Sequence, residues 1–426
     1  MARLRRGDGS LIRDLNRAAI LGLVWEQGLI ARVEIARRLA LSAAAVTDIT
    51  RELVRDGVLR EVEEAPSSGG RRPILLGLVG PAAQAIGVKI ASDHLAIVRV
   101  ALDGSLLMRD TEPFEASHPD AIERLTSVLA RTVEGAGADP GRLLGVGVGM
   151  PGIVDANGVV QAPTLGWHNV AMGPILRARL SVPVLVDNDV NTLAVAERLY
   201  GLGRGLDHTI TVTIGRGVGL GIVMGGDLHR GWHGGAGEFG HLPVDTDGPA
   251  CSCGRRGCLE ALVADPALAR QAIEAGVVAA AEPRPAVALR RAADAGDPAA
   301  LRIYRDAGAI FGRAVAGLVN VLSPQRIIVS GEGTQAWAHW AASFEAGLRG
   351  ATFPPLTGVD VQVDPWDDAK WARGAAALVL RATFAAPLYE RQPEDAVRDR
   401  LPGRLDPDRE TTLKDAAAAS LVGGAP

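Results

Sequence analysis

The chain has 426 residues, 47% of them hydrophobic and 22% charged, with a formal net charge of -4. That is too much chain for one ordinary core and too apolar for a disordered protein, so two or three globular domains are expected. No apolar run approaches a membrane span, and the opening MARLRRGDGS lacks the apolar segment of a secretory signal, so a reducing cytoplasm and no membrane partner are expected.

Charge is unevenly spread. Residues 1–73 hold 13 arginines against 10 acidic residues, a balance of +3 that leaves -7 for the remainder. A basic N-terminal segment on an acidic body suggests that the small part meets nucleic acid. Leu11, Leu15, Ala18, Ala19, Leu21, Leu23 and Val24 follow helical spacing and predict a first helix that Gly28 ends. A short helix over Arg32–Leu39 and the turn Ala40-Leu41 come next. Ser42 then caps a third helix running to about Asp56, with Val46, Ile49, Leu53 and Val54 turned inward. Extended segments Val58–Glu63 and Pro73–Leu78 complete a winged helix-turn-helix pattern, against which a plain three-helix bundle is the competing reading.

On the DNA-binding reading the third helix enters the major groove of operator DNA. Ser42, Ala43, Ala44, Thr47, Asp48 and Arg51 then face the bases. This set is lean, so specificity draws partly on Ser67–Pro73, whose Arg71 and Arg72 lie either in a minor groove or in a mere hinge.

From Gln84 the pattern becomes α/β. Strands are expected at Ala85–Ala91, Leu95–Leu102, Leu144–Val148 and Val184–Val186, and a helix over Pro119–Gly135. The last strand ends at Asp187-Asn188-Asp189-Val190-Asn191, where an aspartate flanked by amides suits a hydroxyl-bearing ligand. Trp167 offers either an apolar face to such a ligand or a core side chain.

All three cysteines, Cys251, Cys253 and Cys258, fall within eight residues, and His241 stands ten positions before the first. Four soft or borderline ligands are what a closed tetrahedral zinc site requires, and Gly254 and Gly257 permit the tight turns. A disulfide fits the expected compartment less well. Glu238 and Glu260 flank these ligands, either as fixed acceptors for a polyol or as solvated loop charges.

Gly-Glu-Phe-Gly-His (237–241) and Cys-Ser-Cys-Gly-Arg-Arg-Gly-Cys-Leu-Glu (251–260), preceded by the glycine-rich run 214–226, resemble the signature of the ROK family of bacterial repressors and sugar kinases. The resemblance extends from about Ala82 to about Ala386. It implies a two-lobed actin-like, ribonuclease H-like body with zinc beside the sugar cleft. Winged helix-turn-helix over 1–80, ROK body over 81–386 (lobe one about 81–187 plus the C-terminal helix, lobe two about 188–370) and a loosely ordered tail over 387–426 are the expected domains. By the same match Asn188, Asp189, Glu238, His241 and Glu260 contact the sugar, and Asp189 corresponds to the general base of the kinases.

The nucleotide loops depart from the kinase pattern. Lys89-Ile90-Ala91-Ser92-Asp93 replaces Asp-x-Gly-Gly-Thr, Arg216 replaces a threonine, and Glu332 replaces a glycine at the adenosine-side turn. Lost glycines keep the backbone from the phosphates and added carboxylates repel them. The expectation is a sugar- or sugar-phosphate-responsive regulator acting as a homodimer or homotetramer, with an ATP-dependent hexose kinase as the alternative.

Overall fold

The N-terminal apolar stripes fold, in the computed structural model, into α1 (Gly9–Gln27), β1 (Ile30–Ala31), α2 (Arg32–Leu39), α3 (Ala43–Arg55), β2 (Leu59–Glu63) and β3 (Ile74–Leu78). The structure describes residues 9–63, 74–136, 142–384 and 393–402. Leu21, Val24, Ile35, Val46, Ile49 and Leu53 are buried, as a 3.6-residue period requires. β3 pairs antiparallel with both β1 and β2, so the wing is tied to the residues that open α2. The buried stripe of α1 takes in Ile20 and Trp25 while Ala19 is exposed. Trp25 has a second partner that local spacing does not reveal, the ring of Phe384 at 4.4 Å.

Contacts divide the chain into two units, one of residues 1–150, 157–187 and 375–426, the other of residues 151–156 and 188–374. Beyond the winged helix, the first unit contains β4 (Gln84–Ile90), β5 (His94–Ala101), β6 (Leu106–Pro113), α4 (Ala121–Glu134) and β7 (Leu143–Met150). The chain passes through β8 (Ile153–Val154) in the second unit and returns with β9 (Val160–Ala162), β10 (Trp167–Val170), α5 (Met172–Arg179) and β11 (Val184–Asn188). Its main sheet has the order β11-β7-β4-β5-β6, antiparallel through β4, β5 and β6 and parallel between β4 and β7. β7 is buried along its whole length. Its glycines admit neighbouring backbone, since a Cβ at Gly147 would lie 1.8 Å from Ala375 O.

The second unit holds α6 (Asp189–Tyr200), β12 (Thr209–Ile214), β13 (Val218–Met224), β14 (Asp227–Leu228), α7 (Glu260–Val263) and α8 (Asp265–Glu274). α9 (Pro285–Asp294), α10 (Pro298–Leu322), β15 (Arg326–Ser330), α11 (Trp337–Ala351) and β16 (Asp360–Val363) follow. α12 (Asp368–Phe384) starts here and continues into the first unit. The sheet order β14-β13-β12-β15-β16 repeats the first unit's three antiparallel strands with a parallel strand beside the first of them, and here a second parallel strand, β16, follows. Each unit therefore carries one ribonuclease H-like sheet, and the α/β class is as expected. Phe311, Trp340 and Phe344 centre the second unit's core.

The stretch expected to be a loose tail differs over 393–402. There α13 (Pro393–Arg398) buries Val397 and Leu401. Arg400 Nε donates to Leu143 O at 2.6 Å and Arg17 Nη2 to Pro402 O at 3.3 Å. Among the described residues no helix is long and apolar enough to cross a membrane. Phe344 is fully buried, so Phe344→Ala is expected to cost about 3–5 kcal/mol in denaturant unfolding.

Candidate functional site

Asp189 is the first residue of α6, directly after β11, in the segment at the strand's carboxyl end where the sequence pattern put it. Asn188 sets that start. Its Oδ1 accepts from the amides of Val190 and Asn191 at 2.9 and 3.1 Å, and its Nδ2 donates to Gly152 O at 2.9 Å. Asn188 is thus first an N-cap and a tie to the 151–156 loop, and any ligand contact is added to that. α6 packs on β13 through glycines: a Cβ at Gly219 would lie 2.6 Å from Val190 Cγ2, and one at Gly221 would lie 2.6 Å from Ala194 Cβ.

The amide of Val218, which opens β13, donates to Glu260 Oε2 at 3.2 Å. Ser252 Oγ approaches Glu260 Oε1 at 3.5 Å. Glu260 is therefore fixed between β13 and the cysteine loop. Glu238 is fixed from the other side. Gly237 before it has φ +99, and a Cβ there would lie 2.0 Å from Leu220 O, so only glycine lets the chain turn here against β13. Burial holds the Glu238 carboxyl above its usual range, opposed by His241 and reinforced by Glu260. Three carboxylates, Asp189, Glu238 and Glu260, are thus supplied by elements that meet at the start of β13.

His241, Cys251, Cys253 and Cys258 place one ligand atom each within 4.8 Å of the others. His241 Nδ1 is 3.5 Å from Cys251 Sγ, and the sulfurs of Cys253 and Cys258 are 3.6 Å apart. Ligands about 2.3 Å from a tetrahedral ion stand about 3.8 Å from one another, so the donor set fits such an ion. Gly254 and Gly257, at φ +85 and +66, supply the turns. The loop is a small hairpin, with Cys251 N bonded to Arg255 O and Gly257 N to Pro249 O, both at 2.8 Å. Burial and the two neighbouring sulfurs push the Cys258 thiol up to about 12, whereas the Arg255 amide lowers that of Cys253. A cation at the centre favours the thiolate in all three. His241 Nε2 faces Glu238 Oε2 at 3.9 Å, which puts a carboxylate behind the ligating ring.

Trp167 does not front a ligand. It is buried, donates its indole N–H to Ala116 O at 3.0 Å and meets Phe114 edge-on, so it is a core side chain. The sequence pattern passed over Trp232, which is 89% exposed on the loop leading to Glu238. Its signal was a large aromatic set in a run of glycines.

The loops assigned to nucleotide by resemblance carry an acidic pair. Glu332 lies against Gly215, where a Cβ would come 2.2 Å from its Oε2, and Asp265 N donates to Gly215 O at 2.8 Å. Burial and then Glu332 push the Asp265 carboxyl up to about 6, while Arg216 and Arg290 act against them.

In the winged helix, Ser42, Ala43, Ala44, Asp48 and Arg51 are exposed on α3 and Thr47 is half-buried. Ser42 accepts from Ala45 N at 3.2 Å, Thr47 Oγ1 donates to Ala43 O at 2.7 Å, and Arg51 pairs with Asp48 at 3.3 Å. Arg13, Arg32, Arg37, Arg38 and Arg55 also lie within 3.4 Å of carboxylates, namely Glu52, Glu61, Glu34 twice and Asp56. Arg71 and Arg72 lie outside the described residues.

Removing the cap by Asn188→Ala is expected to cost about 0.5–2 kcal/mol in thermal unfolding. Asn188→Asp keeps both cap acceptors but sets a carboxylate oxygen against Gly152 O, where Nδ2 donates at 2.9 Å, so it should not restore the parent's stability.

Comparison with known proteins places this geometry. The ROK family profile matches residues 85–382, and a winged helix-turn-helix DNA-binding profile matches residues 13–60. The N-acetylglucosamine repressor of Escherichia coli O157:H7 is 30% identical over 384 residues, covering 88% of this chain and 95% of that protein. The xylose repressor of Caldicellulosiruptor bescii is 26% identical over 398 residues, covering 90% and 100%. A crystal structure of a ROK family transcriptional regulator, described as a homologue of the E. coli MLC protein, superposes with TM-score 0.75 at 27% identity and covers 92% of this chain and 98% of its own. A ROK family glucokinase from Streptomyces griseus, in complex with glucose and AMPPNP, gives TM-score 0.61 at 28% identity over 70% of this chain and 99% of its own. The chain is a member of the ROK family, with a winged helix-turn-helix ahead of its ROK body.

Proposed function

We propose that this protein is a carbohydrate-responsive transcriptional repressor that binds operator DNA through its winged helix, as a homodimer or homotetramer, and answers to a sugar or sugar phosphate. The observation that carries this reading is the joining, in one chain, of a winged helix to a ROK body. Relatives that span the same two parts are repressors named for xylose and N-acetylglucosamine. Ser42, Thr47 and Arg51 on α3, with Arg71 and Arg72 in the linker, are the proposed DNA contacts. Two half-sites at fixed spacing call for two such helices, which is the reason for an oligomer.

In the proposed sugar site Asp189, Glu238 and Glu260 accept hydrogen bonds from hydroxyls, Asn188 holds the 151–156 loop beside them, and His241 stands between sugar and metal. Zinc is the ion that suits three thiolates and an imidazole in a closed tetrahedral set, and its role is to stiffen the loop. A sugar acts on DNA affinity only through its difference in affinity for two states of the protein.

The nucleotide loops support a sensor over an ATP-dependent hexose kinase. Glu332 and Asp265 put two carboxylates beside Gly215, where a triphosphate would add further negative charge. Were the chain a kinase, Asp189 would be its general base.

A panel of sugars and sugar phosphates should contain one that raises the melting temperature, by about 2.7 kcal/mol of stabilisation at a hundredfold excess over Kd. The same compound should change operator binding in fluorescence anisotropy. Coupled ADP release with that compound should stay at background; turnover abolished by Asp189→Asn would instead establish the kinase. Elemental analysis of the purified protein should find stoichiometric zinc, with Cys258→Ser losing it and melting lower.

A further inference from the structure

A buried group of charges at the C-terminal end of α6 serves neither the proposed sugar site nor the metal loop. Glu197 is 5% exposed, and its Oε2 accepts from Leu202 N at 2.7 Å. The chain is folded over this carboxyl so closely that a Cβ at Gly201 would lie 2.2 Å from the same oxygen. Asp364, just after β16, is 8% exposed. Its Oδ1 takes the Lys370 ammonium of α12 at 2.5 Å. Its Oδ2 is buried and, among the described residues, no placed donor reaches it.

An orphaned buried acceptor is costly, and so is a second carboxylate close enough to act on the first, as Asp364 is to Glu197. A single proton on Glu197 settles both. Protonated, Glu197 can donate to Asp364, whose Oδ2 lacks a placed donor, while its Oε2 goes on accepting from Leu202. The remaining charges nearby are engaged elsewhere: Arg198 with Asp207 at 3.7 Å, and Arg326 with Asp360 at 2.6 Å and with Leu202 O.

The same two helices meet at three more places. Trp371 packs with Val190 and Leu193. Gly374 presses on the Thr192 carbonyl, where a Cβ would come 2.6 Å from the oxygen. The Arg373 guanidinium lies 4.2 Å above the Tyr200 ring. The first turns of α12 therefore embrace α6 along its length, and the acid pair closes the embrace at the end opposite Asn188 and Asp189.

We propose that Glu197 and Asp364 share one proton, and that this proton makes the clasp of α12 on α6 pH-sensitive. Burial and the facing Asp364 push the Glu197 carboxyl up from 4.5 to about 7, against the Leu202 amide and Lys370. The folded chain keeps a proton that the unfolded chain releases. Stability therefore falls as pH rises from about 4.5 to about 7 and levels off above, where two carboxylates confront each other. Nothing in the clasp involves a sugar or DNA, so it stands even if the regulatory reading fails.

The test is thermal melting of the full-length protein across that pH range, with infrared spectra at neutral pH. Glu197→Gln supplies a permanent donor. It should lose the part of the pH-dependent fall that the parent protein shows, and should melt at least as high as the parent above pH 7. The parent should show a protonated-carboxyl band that Glu197→Gln weakens. Asp364→Asn, whose amide donates to an ionised Glu197, should weaken the same band, which keeps the test open if the first variant folds poorly. The proposal is overturned if neither variant lowers the intensity of the protonated-carboxyl absorption, to which Asp265 and Glu238 also contribute, or if Glu197→Gln keeps the parent's pH profile and melts lower throughout.

Discussion

A sulfur–imidazole cluster with every ligand atom within 4.8 Å of the others draws together the two stretches of chain that carry Glu238 and Glu260. The segment from Gly231 to Glu260 contains little regular structure, only the turn Phe239–His241 and the start of α7. Such a segment has a large conformational entropy to lose on folding. The cluster joins its two halves: His241 lies three residues after Glu238, and Cys258 two before Glu260. An ion held by the cluster would thus fix two acidic side chains that lie on either side of it in the chain. β13 completes the placement, with the Val218 amide on Glu260 and the Leu220 carbonyl against Gly237.

α6 is the second organising element. Its N-terminus is defined by the Asn188 cap, its middle sits on β13 through two glycines, and its far end is enclosed by Gly201, Leu202 and Asp364. A helix held at both ends and along one face leaves Asp189 little room to drift. This is the pre-organisation that a polar binding site needs.

What could be read in advance was local chemistry. The α2 bounds Arg32–Leu39, the Ser42 cap and the β-hairpin pattern after Gln84 follow from helical period, capping preference and alternation over a few residues. The convergence of His241 with the three cysteines was legible because four donors and two permissive glycines fall in one short stretch. Asp189 was read as following a strand because the apolar run before it is strand-like, and the N-cap signal that the Asn-Asp pair also carries was not used to start α6 there. Trp167 was undecided because nothing near it in sequence announces Phe114 or the Ala116 carbonyl. α13 was missed because its polar, proline-bearing composition outweighs two apolar anchors, Val397 and Leu401, whose partners are distant in sequence. The pairing of Glu197 with Asp364 joins residues far apart in the chain and leaves no local trace.

The winged helix shows how a formal excess of arginine need not become a positive surface. Arg13, Arg32, Arg37, Arg38, Arg51 and Arg55 each already rest on a carboxylate of the same small domain. On meeting a duplex such a side chain trades one anionic partner for another, and the displaced carboxylate regains solvent and its own counterion. Fewer condensed cations are then expected to be set free by these six than their number suggests, with a correspondingly shallower salt dependence of their share of DNA binding. Discrimination between sequences is left to shape and to the few side chains that reach the base edges.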